Sequence, residues 1–437
     1  MSRDCNHPNL ELTVSRRDFL RLAGVGAASL LIQSCQSQAR TISPGAKPPD
    51  NNLTQIAVDQ AGKYDLGTIE NQEGEIMTTN FKYLLFVGSY AAENEPGIHA
   101  FIFDSATGEL IHQNTFAGIT NPSFLAIHPN GKWLFAVSET GQGNDGEYGS
   151  VYAFSIQHEQ QNINMQPINQ QSTKGDWPCH VQIDASGRWL IATNYGTGNA
   201  ALFPILPNGA LGQMEAFVQH EGHGPNMARQ EGPHAHSAIF TPDNRYVIVA
   251  DLGIDQLVIY NFDSETGSLS RHTETDALPG AGPRHLAFHP DGRYLLAANE
   301  LDSSVTVYEY KVGNGTLQAL QTLNTLPPDA PESTVADIHF SPSGQHVYVS
   351  NRGHDSLAIF AFDIATGRLS TDSFQTTHGK TPRNFAIDPS GTFLLAANQD
   401  SNNIVTFRIN HSTGHLDFIE QITELPRPVC LKMIVSN

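Results

Sequence analysis

The sequence predicts an all-β fold: a seven-bladed β-propeller of four-stranded antiparallel blades, its ring closed by pairing the first and last strands of the domain. Three observations predict it. A hairpin pattern of apolar run, tight turn and apolar run recurs six times, as in "WPCHVQIDASGRWLIATNY" and "AGPRHLAFHPDGRYLLAANE". Its turn residues Gly131, Gly187, Asn244, Gly292, Gly344 and Gly391 lie 56, 57, 48, 52 and 47 residues apart. Two more alternating segments follow a hairpin, such as "SVTVYEYKV" and "TLQALQTL", which makes four strands per repeat. Finally, "RPVCLKMIVSN" at the C-terminus matches only a first strand and "KYLLFVGSY" only a second. Pairing the two completes a seventh blade and removes an exposed sheet edge. The 37 Gly and 25 Pro suit such a turn-rich chain, and an open solenoid would need shorter repeats.

Along the chain, residues 1–35 read as an export signal. "SRRDFLRLAGVGAASLLIQSC" places Arg16 and Arg17 ahead of a mildly apolar stretch, the pattern of a twin-arginine leader. The apolar run from Leu22 to Ile32 is 11 residues long, well short of the ~20 that a membrane span needs. Ile32, Gln33, Ser34 and Cys35 resemble a lipoprotein cleavage box, which makes Cys35 a lipidation candidate and a membrane tether a second expectation. Residues 36–80, rich in Gln, Asn, Pro, Gly and hydroxyl side chains, read as a flexible linker. The propeller occupies 81–437. The expected location is the periplasm or, through Cys35, the membrane surface, with the cytoplasm if the signal goes unused.

Charge narrows the partners. With 24 Lys+Arg against 44 Asp+Glu, the net charge is −20, so a nucleic-acid partner is not expected. Only Cys179 and Cys430 lie beyond the leader, and no CxxC pattern occurs, so the fold rests on its core rather than on a disulfide framework. No GxSxG elbow is present, which removes support for α/β-hydrolase chemistry.

Ring closure makes a geometric prediction about the site. The first strand of each blade lines the axis and the second runs back antiparallel. The start of one and the end of the other therefore meet at one mouth. The first strands place Ser123, Cys179, His236, Arg284, Ala336, Arg383 and Val429 there, and the second strands Glu139, Tyr195, Leu252, Glu300, Arg352, Gln399 and Ser89. A register slip of one residue would turn these side chains away. The dense cluster is His236, Arg284, Glu300 and Arg352, expected to be catalytic, with His234, Arg383, Glu139 and Tyr195 contacting substrate. Guanidinium groups hold planar anions and steady an oxyanion, and a near-neutral imidazole moves protons. The cluster therefore predicts a small anionic substrate and proton transfer, and the protein is separately expected to be a monomer.

Other readings accompany this one. Arg352 and Glu300 could simply neutralise each other, and His220, His223, His234 and His236 could hold zinc. No third ligand is clearly placed, so neither a metal nor another cofactor is expected. His180 and His285 are expected to pack or to bond backbone, and Asn194, Asn299, Asn351 and Asn398, recurring at one blade position, to be structural.

The motifs "GPHAHS", "GPRHLAFHPDGRYLLAANE", "SNRGHDS" and "TPRNFAIDPSG" together resemble the seven-bladed propeller lactonases of the bacterial 6-phosphogluconolactonase type, related to fungal 3-carboxy-cis,cis-muconate lactonising enzymes. The resemblance covers about residues 81 to 437. It implies hydrolysis of a sugar lactone, with His236 and Glu300 activating water and Arg284 and Arg352 gripping the anionic group or carbonyl oxygen. A muconate-type cycloisomerase and a non-catalytic ligand-binding propeller remain alternatives. The export signal departs from the cytosolic setting of a 6-phosphogluconolactonase, which leaves open whether the substrate is phosphorylated.

Overall fold

The computed structural model describes residues 82–142, 148–159 and 162–435. The leader, Cys35 and the linker lie outside the described residues. Within them, strands assemble into seven antiparallel sheets of four, with no helix. Six sheets take their strands consecutively from the chain. The seventh joins Pro428–Val435 to Lys82–Ser89, so the two ends of the domain share one blade and close the ring.

The hairpin turns fold as their residues require. Gly131, Gly187, Gly292, Gly344 and Gly391 take φ between 70° and 77°, and Asn244 takes 54°. This left-handed conformation costs glycine little and asparagine less than most residues. Each inner hairpin is apolar on both faces because a blade packs against a neighbour on each side. Leu190, Ala192, Leu296, Ala298, Leu394 and Ala396, for instance, are fully buried. The core is thus a circle of interfaces between blades.

The recurrent asparagines are buried clasps. Asn299 donates to Ser304 Oγ at 2.8 Å and Asn351 to the Thr325 carbonyl at 2.8 Å. Asn398 donates to the Thr377 carbonyl at 3.2 Å. Each fastens the end of a second strand to a neighbouring segment, through a hydroxyl for Asn299 and a backbone carbonyl for Asn351 and Asn398, where an unpaired buried amide would be costly.

One irregularity recurs and sets up the site. Inner strands do not pair continuously with the second: Pro178 and His180 pair with consecutive partners, leaving Cys179 as an extra residue. The same bulge isolates His236, Arg284 and Arg383, and Val429 in the closing blade. A bulge re-aims side chains that strict alternation would send to opposite faces. This is how Arg284 and its neighbour His285 both face the axis, together bordering one small recess there.

Candidate active site

At the mouth where inner strands begin, a cavity of about 350 Å³ is lined by Glu139, Trp177, Cys179, Tyr195, Arg229, His236, Glu300, Thr334, Arg352 and Arg383. Arg284 borders a recess shared with Glu139, Cys179 and Arg383. Both predicted rings therefore contribute, and seven residues named from them line the cavity itself. Leu252 and Ala336 are instead fully buried.

Glu300 is the hub. Its Oε2 lies 3.0 Å from Arg284 Nε and 2.9 Å from Arg352 Nη2, and its Oε1 lies 2.5 Å from Arg229 Nη2. Burial alone would raise its carboxyl, but the guanidinium groups of Arg352 and Arg284, with the Arg229 hydrogen bond, overcome this. They hold it well below the usual carboxylate range. Arg284, 2% exposed, also donates from Nη1 to the Ala336 carbonyl. Burial, then Arg352, lowers the Arg284 guanidinium to about 10, so it stays charged at neutral pH. The Nε–H groups of Arg284 and Arg352 are buried without an aligned acceptor; the 3.0 Å approach of Arg284 to Glu300 is an ion pair rather than a directed hydrogen bond.

His236 is buried in the same wall. Its Nδ1 lies 3.7 Å from Cys179 Sγ, and that thiol also donates to the His236 carbonyl at 3.2 Å. Burial first, then Arg284, His285 and Arg383, hold the imidazole well below its ordinary value, so it is neutral. Burial pushes the Cys179 thiol up to about 12, so no thiolate competes as a nucleophile. Across the cavity, Glu139 accepts hydrogen bonds from Tyr90 Oη at 2.9 and 3.1 Å, and Arg383 lies over the Tyr90 ring at 5.2 Å.

Of the residues expected to contact substrate, Arg383, Glu139 and Tyr195 line the cavity and His234 does not. Its ring stacks on Tyr195 at 4.5 Å, and its Nδ1 is 2.8 Å from the Tyr195 carbonyl. Two residues separate in sequence from His236 thus take different layers: His236 sits on the bulge, and His234 precedes the strand. The histidines weighed as zinc ligands have separate partners. His220 pairs with Asp251 at 2.6 Å, and among the described residues no group of three or more metal-ligating side chains converges. His285, expected to pack or bond backbone, instead pairs with the Asp337 carboxylate at 2.8 Å.

Arg229 was missed because it lies outside the repeated hairpins, and Trp177 and Tyr90 because they fall one residue outside the strands Pro178–Ile183 and Lys82–Ser89, off the counted ring positions. Arg229 sits in the long connection 220–234. His220 and Gln230 pin this segment, Gln230 donating to the Leu252 carbonyl at 2.9 Å and to Asp255 at 2.7 Å. An unusually long connection in a compact ring was the available signal, since such loops commonly carry function.

The closed propeller thus has one axial mouth lined by guanidinium groups, a neutral imidazole and two carboxylates. Residues 84–433 match the family model described as "Lactonase, 7-bladed beta-propeller". The chain belongs to this family and is a lactonase. It is 34% identical to a 6-phosphogluconolactonase of Bacillus subtilis over 81% of this chain and 99% of the relative. A 6-phosphogluconolactonase of Formosa agariphila is 37% identical over 77% and 95%. Among solved structures, a periplasmic gluconolactonase of Pseudomonas aeruginosa superposes with a TM-score of 0.75 at 31% identity, covering 82% of this chain and all of the other.

Proposed function

We propose that this protein hydrolyses a sugar lactone, of phosphogluconolactone or gluconolactone type, at the guanidinium-lined mouth. The observation that carries this reading is a local excess of positive charge. Arg229, Arg284, Arg352 and Arg383 face only Glu139 and Glu300, in a protein of net charge −20. Such a site draws in an anion and stabilises one that forms there. Water adds to the lactone carbonyl, and the oxygen becomes an oxyanion beside Arg284 and Arg352. The ring C–O bond then breaks and releases an aldonic acid. His236, uncharged at rest, takes the water proton and returns it to the departing ring oxygen. Glu300 acts by aligning the guanidinium groups, whose charges keep it an anion, and the water proton is assigned to His236.

The leader pattern supports export, with Cys35 as the tether if it is lipidated. An exported enzyme would meet unphosphorylated aldonolactones. Turnover of 6-phosphogluconolactone and glucono-δ-lactone tests both parts. The proposal expects hydrolysis of at least one, and glucono-δ-lactone preferred by the exported protein. No hydrolysis of either, or lactonisation of a diacid instead, would overturn the reaction. Cell fractionation of an Arg16→Lys, Arg17→Lys variant should show retention in the cytoplasm, and unchanged export would overturn the leader.

A further inference from the structure

Trp177 is half exposed, at 49%, beside a cavity otherwise built of polar groups. It occupies the turn that delivers the chain into an inner strand, with φ of 55° immediately before Pro178. That conformation is uncommon for a bulky residue and is disfavoured again by the following proline. The turn itself is architectural, because Gly282, Thr381 and Arg427 adopt the same left-handed φ before Pro283, Pro382 and Pro428. Gly282 shows that the turn needs no side chain at all. The indole is therefore a feature of this blade alone.

It is also firmly seated. The Trp177 N–H donates to the Thr140 carbonyl at 2.8 Å, and its carbonyl accepts from Tyr195 N–H at 3.0 Å. Gly141 and Gly196 leave room for the ring: a Cβ on the first would lie 2.7 Å from indole Nε1 and on the second 2.9 Å from Cε3. A fixed, half-exposed aromatic surface next to guanidinium groups fits a ligand with an apolar C–H face rimmed by hydroxyls. That is the chemistry of a sugar ring.

We propose that Trp177 is the platform on which the sugar ring of the substrate stacks, so that it selects polyhydroxylated lactones over simple ones. This rests on the lactonase reading above and names the part of the site that recognises the sugar. The test pairs kinetics on glucono-δ-lactone and unsubstituted δ-valerolactone with calorimetric binding of gluconate, using wild type, Trp177→Ala and Trp177→Phe. Trp177→Ala should raise KM for the sugar lactone about five- to tenfold with kcat little changed. It should weaken gluconate by a similar factor and leave δ-valerolactone unaffected, and Trp177→Phe should restore most of the loss. Unchanged gluconate affinity in Trp177→Ala, equal effects on both lactones, or no gluconate binding by wild type would overturn the platform. Gluconate binding that depends on Trp177 without turnover of any lactone would uphold the platform while overturning the hydrolase reading.

Discussion

The propeller axis opens at two mouths, and the larger cavity is at the one without the arginines. It encloses about 580 Å³, lined by Phe124, Phe288, Phe340 and Phe385 with His180, Asp337, His339 and Lys432 among others. Its buried charges are already matched. Asp337 holds His285 at 2.8 Å and His339 at 2.9 Å and accepts from Asn384, while Lys432 Nζ sits 4.5 Å from the Phe124 ring centroid. The smaller mouth holds more guanidinium groups than carboxylates and leaves two buried N–H groups without an aligned acceptor. Volume alone would point to the other end of the channel; on the reading proposed above, unbalanced charge and N–H groups without an aligned acceptor mark the mouth that receives an anion.

The largest expected effect breaks that asymmetry directly. Arg284→Ala should lower kcat/KM for the best lactone by roughly 10²–10³, the cost of losing a preorganised oxyanion donor. His339→Ala at the other mouth should change it less than about threefold. Comparable losses in the two variants, measured by steady-state kinetics, would erase the distinction between the mouths.

Most of the architecture behind this comparison was legible in the sequence, for a physical reason. Each blade repeats the same hairpin, so the six turns act as internal controls on register, and the unmatched strands at the two ends imply closure. The ring positions were found even though strand alternation is interrupted, because nearly every inner strand carries its bulge at the same place; a constant offset preserves the count. What repetition could not supply lies between the repeats. Arg229 sits in a connection of unmatched length and composition, where no blade serves as a template, and Trp177 falls one residue before its strand, off the counted ring positions. His234 lies off the cavity lining because it falls just before the strand, where the alternation that would pair it with His236 does not operate. The pairing of His285 with Asp337 joins two blades, and a one-strand reading does not reach it.

Next in size is Glu300→Ala. Removing the carboxylate leaves Arg229, Arg284 and Arg352 facing one another, and losing one partner of a buried ion pair costs about 3–5 kcal/mol. Denaturant unfolding should show that loss. In the milder Glu300→Gln variant, kcat/KM should fall while the acidic limb of its pH profile stays in place, since Glu300 does not titrate there. A limb that disappears would make Glu300 the working base. At the opposite mouth, Asp337→Asn should lower stability, because His285 and His339 lose their anion, with kcat/KM reduced far less than by Arg284→Ala.

The smallest effect concerns acid stability away from both mouths. Burial, then His112, lowers His99 to about 4 from an ordinary 6.5, and its Nε2 has no partner. Below pH 6.5 the unfolded chain takes up a proton that the folded protein refuses until about pH 4, so His99 destabilises the fold as pH falls through that window. His99→Gln should therefore flatten the decline in unfolding free energy between pH 6.5 and 4. An unchanged slope would show that His99 does not contribute to it.

The most direct measurement is a crystal structure with the aldonic acid product, gluconate or 6-phosphogluconate, bound at saturating concentration. The account predicts its carboxylate within hydrogen-bond distance of the Arg284 or Arg352 guanidinium, with the His236 imidazole facing the carbon skeleton. Product bound among Phe288, Phe340 and Lys432 at the larger mouth, with the arginine-lined cavity filled only by water, would contradict it.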